Sequence, residues 1–273
     1  MIRQNLHTHS IYDDGKDTIR EMIEAARQKG FTVLGFSGHA FNPEDESSMS
    51  PEKTERYIEE VRQARANPPE GMEIYLGIEE DSLNPVQPED YDYIIGSVHY
   101  LEKNGKFYSI DYSPEQFDSM LKEAWNNDIH AMSRDYYQAL EAQADQERID
   151  VIGHIDLIGK YNEDEKYYSF DDPEILEMSK KAVNRLAEAG KIFEMNTGAM
   201  ARGYRSTPYP SRQILDQIHQ ANGKLMINTD CHNRENLDLG IEQCINLAKE
   251  AGFTHLYKMS RQGFVSVPIE QFC

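Results

Sequence analysis

Between residues 6 and 15 the chain reads LHTHSIYDDG, which sets His7 and His9 one residue apart just upstream of two aspartates. Alternate residues of a strand face the same side, so two imidazoles at this spacing can close on one cation, although such pairs also occur packed or solvated. Further along lie His39 in SGH, Glu79 in GIE, His99 in GSVH, His154 in GHID, Glu194 in EMN, and Asp230 with His232 in TDCH. Neutral imidazoles with carboxylates and no thiolate suit divalent ions such as zinc, manganese or iron. About nine such groups are too many for one tetrahedral ion. Two or three ions, with a carboxylate bridging at least one pair, would use them all.

These residues share a position. Apolar, β-branched runs at 33–37, 73–78, 93–98, 150–153, 191–195 and 225–229, with the segment before His7, read as about seven strands. Each candidate ligand follows one of them. Six of the nine histidines fall at such strand ends. Each motif alone has an ordinary explanation, a satisfied core histidine for His39 or His154 and a helix cap for Asp230. Independent accidents would not put nearly every candidate just after an apolar run.

The segments between the runs carry helical periodicity. Residues 17–29 place Ile19, Ile23 and Ala26 on one face, with Asp17 as the cap and Gly30 as the stop. Residues 51–66 begin with Pro51 after Ser50, and further helices are expected near 114–146, 173–189, 211–222 and 240–251. Strands alternating with helices imply parallel pairing and right-handed crossovers, in an open doubly wound sheet or a closed barrel. The glycine-rich phosphate loop of a dinucleotide-binding sheet is absent. No linker, repeat or low-complexity tract divides the chain, so residues 1–273 are expected to form one α/β domain. In a parallel barrel the C-terminal strand ends share one mouth, where scattered ligands converge. Residues 101–148 are too long for a simple loop and are expected to be a helical insertion over that mouth.

Composition narrows the partners. Against 28 basic residues stand 48 acidic ones, a formal charge of −20, which repels polyanions and excludes a sequence-independent grip on nucleic acid. No run of about 18 apolar residues could span a bilayer, and no signal-peptide pattern opens the chain, so the expectation is a cytoplasmic protein with no membrane partner. Cys231, Cys244 and Cys273 have no close spacing, against a disulfide framework or thiolate zinc site. Cys231 alternates away from Asp230 and His232 and is expected to be buried. Oligomeric state is not legible.

The series HTHS…DDG, SGH, GIE, GSVH, GHID, EMN and TDCH resembles the polymerase-and-histidinol-phosphatase family of metal-dependent phosphoesterases, and the likeness runs from His7 to the C-terminus. That resemblance implies a distorted seven-stranded (β/α) TIM-like barrel around a trinuclear centre. Carried over residue by residue, it implies His7, His9, Asp230 and Glu79 around a first metal, Glu79 bridging to a second completed by His99 and His154, and Asp14, His39 and His232 around a third. Spacing favours Glu79 over Glu80 as the bridge. Within the family the chain looks most like the stand-alone histidinol-phosphatase branch, which implies hydrolysis of L-histidinol phosphate, in histidine biosynthesis, by water activated between metals. The alternatives are another substrate, phosphotyrosine or DNA ends, and a non-catalytic regulatory domain. His9 and Asp14 are expected to carry catalysis, with Asp14 or a metal-bound water as proton donor to the leaving alkoxide. Arg202, Arg205 and Lys160 are the candidates for gripping phosphate. Glu194 and Asn196 are the candidates for the substrate amine and imidazole, with orientation of a ligand histidine as the other role for Glu194.

Overall fold

The computed structural model describes residues 1–81 and 85–272, so Cys273 lies outside the described residues. Seven strands, β1 (Gln4–Asn5), β2 (Val33–Phe36), β3 (Glu73–Asp81), β4 (Tyr93–Ser97), β7 (Val151–Ile152), β8 (Ile192–Asn196) and β9 (Lys224–Asn228), pair in parallel in that order. The first and last meet at the top through a Thr8–Cys231 bridge. There the His9 amide donates to the Cys231 carbonyl (3.0 Å) and the Cys231 amide to that of His7 (3.3 Å). The sheet therefore closes as a barrel at the end where the ligand candidates lie.

Helices α1 (Ile19–Gln28) and α2 (Pro51–Ala66) follow the first two strands, and α5 (Pro173–Glu188), the short α6 (Gly198–Ala201), α7 (Arg212–Gln220) and α8 (Ile241–Glu250) follow the later ones. The cap of the first helix is one residue later than expected, at Thr18. Asp17 is taken by the Arg234 amide (2.8 Å), and Thr18 with Glu21 forms the capping box instead. Ser50 caps α2 as expected, and Tyr57 from its buried face donates to the Gly77 carbonyl (2.7 Å), tying helix to strand.

Residues 101–148 depart from the expected all-helical insertion. A hairpin, β5 (Tyr100–Lys103) and β6 (Lys106–Ser109), precedes α3 (Pro114–Trp125) and α4 (Ile129–Ala142). The turn is Asn104-Gly105, both at positive φ (56° and 75°), the two-residue geometry that Asn-Gly accepts with least strain. Helix α4 locks onto the barrel top: Tyr136 donates to the Ile155 carbonyl (3.2 Å) and accepts from the Leu157 amide (3.1 Å). One apolar core runs through barrel, helices and insertion, with Trp125, Tyr136 and Tyr137 buried in it.

A second cluster plugs the opposite end of the barrel with Leu6, Val33, Tyr93, Ile95, Val151 and Met226. Tyr93 crosses the interior and donates to the Leu6 and Phe36 carbonyls. Gly35 and Gly77 make that crossing possible, since a Cβ on either would overlap the phenol ring. An additional hairpin, β10 (His255–Ser260) and β11 (Gly263–Pro268), covers this floor, with the Met259 amide donating to Gln4 (2.8 Å).

Candidate metal centre

The nine ligand candidates of the resemblance meet above the floor cluster. Among the described residues, three sets have ligand atoms mutually within 4.8 Å: His9, Asp14, His39 and His232; His7, His9 and Asp230; and His39, Glu79 and His99. The sets overlap at His9 and His39, so the partition is less clean than the family pattern implies. Glu79 is at the centre. One carboxylate oxygen lies 3.1 Å from both His7 Nε2 and His39 Nδ1, the other 3.1 Å from His154 Nε2 and 3.5 Å from His99 Nε2. On the opposite side His9 Nε2 is 3.1 Å from Asp230 Oδ1, and His232 Nε2 is 3.1 Å from Asp14 Oδ1.

These approaches are close but mostly not hydrogen bonds. His7 Nε2, His9 Nε2, His154 Nδ1 and Glu79 Oε2 are buried with no directional partner. An unpartnered buried polar atom costs about 1–3 kcal/mol. Four in one cluster of imidazoles and carboxylates fit cations between them. The carboxylates and His232 are in the matching charge states, while, against burial, those carboxylates raise His7, His9, His39 and His99. Burial favours a protonated Glu79, but His7, His39 and His99 outweigh it and hold the carboxyl well below its usual range. Asp230 is held down likewise by Arg202 and His7 against its burial. Burial, with His9 and Arg202 alongside, pushes His232 down to about 4, leaving a neutral ring with a lone pair to give.

Other atoms of the ligands are fixed from behind. Glu194 accepts from His7 Nδ1 (2.8 Å), and Asp13 from His9 Nδ1 (2.6 Å), leaving each Nε2 aimed inward. Asp13 also accepts from the Ser10 amide (2.8 Å) and the His39 amide (3.0 Å), so one buried carboxylate sets two candidate ligands. Sequence reading missed it; the doubled DDG, with Asp13 four residues after His9, was the available signal. Ser97 donates to Glu79 (2.6 Å), and Asp81 accepts from the His99 amide (2.8 Å).

Glu80 lies on the other face of the same strand. It is gripped by Arg148 through Nε and Nη2 (2.6–3.0 Å) and accepts from the Val86 amide (2.8 Å). It is remote from the cluster, whereas Glu79 lies within it. Asp14 lies beside His232 at the edge of the cluster. Burial opposes ionisation, but His232, His39 and His9 hold its carboxyl well below the usual range, so it is charged and suited to a cation. Cys231 is buried, its thiol pushed up to about 12 by burial, and is no nucleophile.

A cavity of about 640 Å³ opens above the cluster. Arg202 lines it, with Nη2 3.0 Å from His232 Nε2 and Nη1 3.7 Å from Asp230. Lys160 lines it too, donating to the Asp111 carbonyl (2.8 Å) and lying 3.2 Å from its carboxylate. Three expected substrate contacts lie behind the wall instead. Glu194 is fully buried and accepts from His7, Asn196, Asn228 and the His154 amide, which saturates it. Asn196 donates to Glu194 and caps the Gly198 amide. Arg205 is buried over the Tyr209 ring, 4.6 Å from its centroid, and 3.6 Å from Asp156. The cavity is also lined by Glu44, Asp45, Glu46 and Asp111, which were not anticipated. One cavity thus joins the candidate metal centre and Arg202 to further carboxylates.

Comparison with known proteins agrees with this geometry. A family model described as PHP domain matches residues 5–198. The chain is 27% identical to a Schizosaccharomyces pombe protein named probable histidinol-phosphatase, over 92% of this chain and 87% of that one. It is 24% identical to the histidinol-phosphatase of Bacillus subtilis, over 84% and 92%. Its fold is similar to that of Lactococcus lactis histidinol phosphate phosphatase, solved with zinc, L-histidinol and phosphate. The TM-score is 0.72 at 21% identity, over 96% of this chain and 98% of that one.

Proposed function

The chain belongs to the PHP domain family, and from that premise we propose that it is a metal-dependent phosphomonoesterase that hydrolyses L-histidinol phosphate to L-histidinol and phosphate. The observation that carries this reading is a single cavity that joins a cation-seeking cluster centred on Glu79 to the lining carboxylates Glu44, Asp45, Glu46 and Asp111. Histidinol phosphate carries a charge for each, an anionic phosphate and a cationic amine. The named activity of the curated relatives supports the same substrate.

His7, His9, Glu79 and Asp230, then Glu79, His99 and His154, then Asp14, His39 and His232 would hold up to three divalent ions of the zinc, manganese or iron class. Bound there, such ions supply positive charge for phosphoryl oxygens and acidify water toward neutrality, so no side-chain base is required. Glu79 and Asp230 are held in the ionised form by their neighbours and offer carboxylate charge to cations. Asp13 and Glu194 fix the His9 and His7 rings. Arg202, at the cluster's edge, offers a guanidinium fork to phosphate. Asp111 receives the substrate's cationic end. It is ionised because Lys160 and His99 outweigh the effect of burial on its carboxyl. Arg205 supports Tyr209 from behind. No helix of the described residues is long and apolar enough to cross a membrane.

The test is phosphate release by zinc-loaded protein from L-histidinol phosphate, phosphotyrosine and an oligonucleotide with a terminal phosphate. The expected result is a kcat/KM at least tenfold higher for histidinol phosphate, the factor that about 1.4 kcal/mol of charge recognition supplies. Equal rates on phosphotyrosine would remove the substrate assignment. No turnover of any ester would remove the enzymatic one.

A further inference from the structure

Tyr209 lies in the loop after β8, held there by paired backbone hydrogen bonds with Asn196 (2.8 and 2.9 Å). Its ring is clamped between the Arg205 guanidinium, 4.6 Å from the centroid, and the edge of His154 at 6.2 Å. Asp156 anchors that clamp, 3.6 Å from Arg205 and accepting from the Ser211 amide (2.7 Å). The side chain is 1% exposed, yet it lines the cavity, and its hydroxyl has no hydrogen-bond partner in the protein. A rigidly held, desolvated donor without an acceptor destabilises the free protein. Phenylalanine would fill the same space at no such cost. The hydroxyl is therefore explained by an acceptor that arrives with a ligand. Burial pushes the phenol well above its usual range, so it remains protonated; Arg205 and Arg202 oppose that shift, and Asp156 and Asp111 add to it. Arg202 lines the same cavity and offers an anion there a charged donor beside the hydroxyl.

We infer that the Tyr209 hydroxyl donates a hydrogen bond to a phosphoryl oxygen of the bound phosphate monoester, a substrate-binding role that rests on the phosphatase reading above. Tyr137 provides the control: its hydroxyl is also buried without a partner, but it does not line the cavity.

The experiment compares zinc-loaded wild type, Tyr209→Phe and Tyr137→Phe in zinc content, melting temperature, inhibition or binding by inorganic phosphate, and turnover. For Tyr209→Phe the expected result is unchanged zinc, a melting temperature equal to or above wild type, and about tenfold weaker phosphate affinity with a matching fall in kcat/KM, typical of one hydrogen bond to a charged group. Tyr137→Phe should match it in stability and leave phosphate affinity unchanged. Phosphate affinity in Tyr209→Phe within twofold of wild type, or undetectable in both, would overturn the inference. So would a melting temperature several degrees lower, because the hydroxyl would then be structural. If wild type hydrolyses no ester but Tyr209→Phe still weakens phosphate, the hydroxyl's role stands and the substrate reading falls.

Discussion

Glu79 and Glu80 are consecutive residues of one strand, both buried, in opposite surroundings. Glu80 faces the outer wall and is enclosed by an Arg148 fork and the Val86 amide. Glu79 faces the barrel interior, with four histidine nitrogens within 3.5 Å and one oxygen left without a directional partner. The same division separates the two ends of the barrel. At the floor, Tyr93 finds two carbonyls, and nearby Lys191 donates to the Gln146 (2.6 Å) and Ile149 (2.7 Å) carbonyls. At the mouth, polar atoms are crowded but unsatisfied. Around Glu80 and Tyr93 the protein satisfies its own polar groups, whereas the cluster around Glu79 is completed by what it binds.

That comparison breaks first at the adjacent glutamates. Glu79→Ala should abolish turnover and lower bound zinc, read by metal analysis of the folded protein, because it deletes the carboxylate on which four histidines converge. Arg148→Ala should do the reverse, leaving zinc content intact and costing about 3–5 kcal/mol in urea denaturation, since Glu80 is left as an uncompensated buried charge. If both variants lost stability and kept zinc, the mouth would be no different from the wall.

A smaller effect tests the residue that sequence reading missed. Apart from Asp14, which only the family resemblance supplied, the ligand candidates were legible because each follows an apolar run, and strand ends of a parallel barrel face one mouth. Asp13 follows no such run. Its role comes from the turn in which its amide donates to Ser10 O (3.1 Å), folding its carboxylate back under His9. Depth was hidden as well. Glu194 and Asn196 alternate toward the interior as expected, but they lie below the metal cluster, where a one-dimensional pattern cannot place them. The Asn104-Gly105 hairpin was written in its dipeptide but masked by the helical periodicity that follows it. Asp13→Asn should keep the fold and weaken zinc binding about 10–100-fold, the usual effect of losing a carboxylate that orients a ligand histidine. Zinc affinity equal to wild type would make Asp13 a loop brace only.

The smallest effect comes from a histidine–carboxylate pair outside the mouth. His130 Nε2 lies 2.9 Å from Asp172, at the surface, and both groups are hydrogen-bonded. The hydrogen bond to Asp172 raises the His130 pKa, and that to His130 lowers the Asp172 pKa. The raised histidine contributes stability fully present below its unfolded pKa of about 6.5 and lost as pH rises through the folded value. The depressed aspartate contributes stability present above about 3.9 and lost as pH falls through its folded value. The pair is therefore worth most between those limits, and as an exposed ion pair only about 0.2–1 kcal/mol. His130→Ala isolates it, because Asp172 also caps α5 through the Glu174 (3.0 Å) and Ile175 (3.2 Å) amides and must be kept. The difference in urea midpoint between wild type and His130→Ala should be greatest near pH 5 and fade toward pH 9, with the same profile whether or not zinc is present. A zinc-dependent difference would mean that this surface pair is coupled to the mouth, and the division between satisfied wall and ligand-completed mouth would not hold.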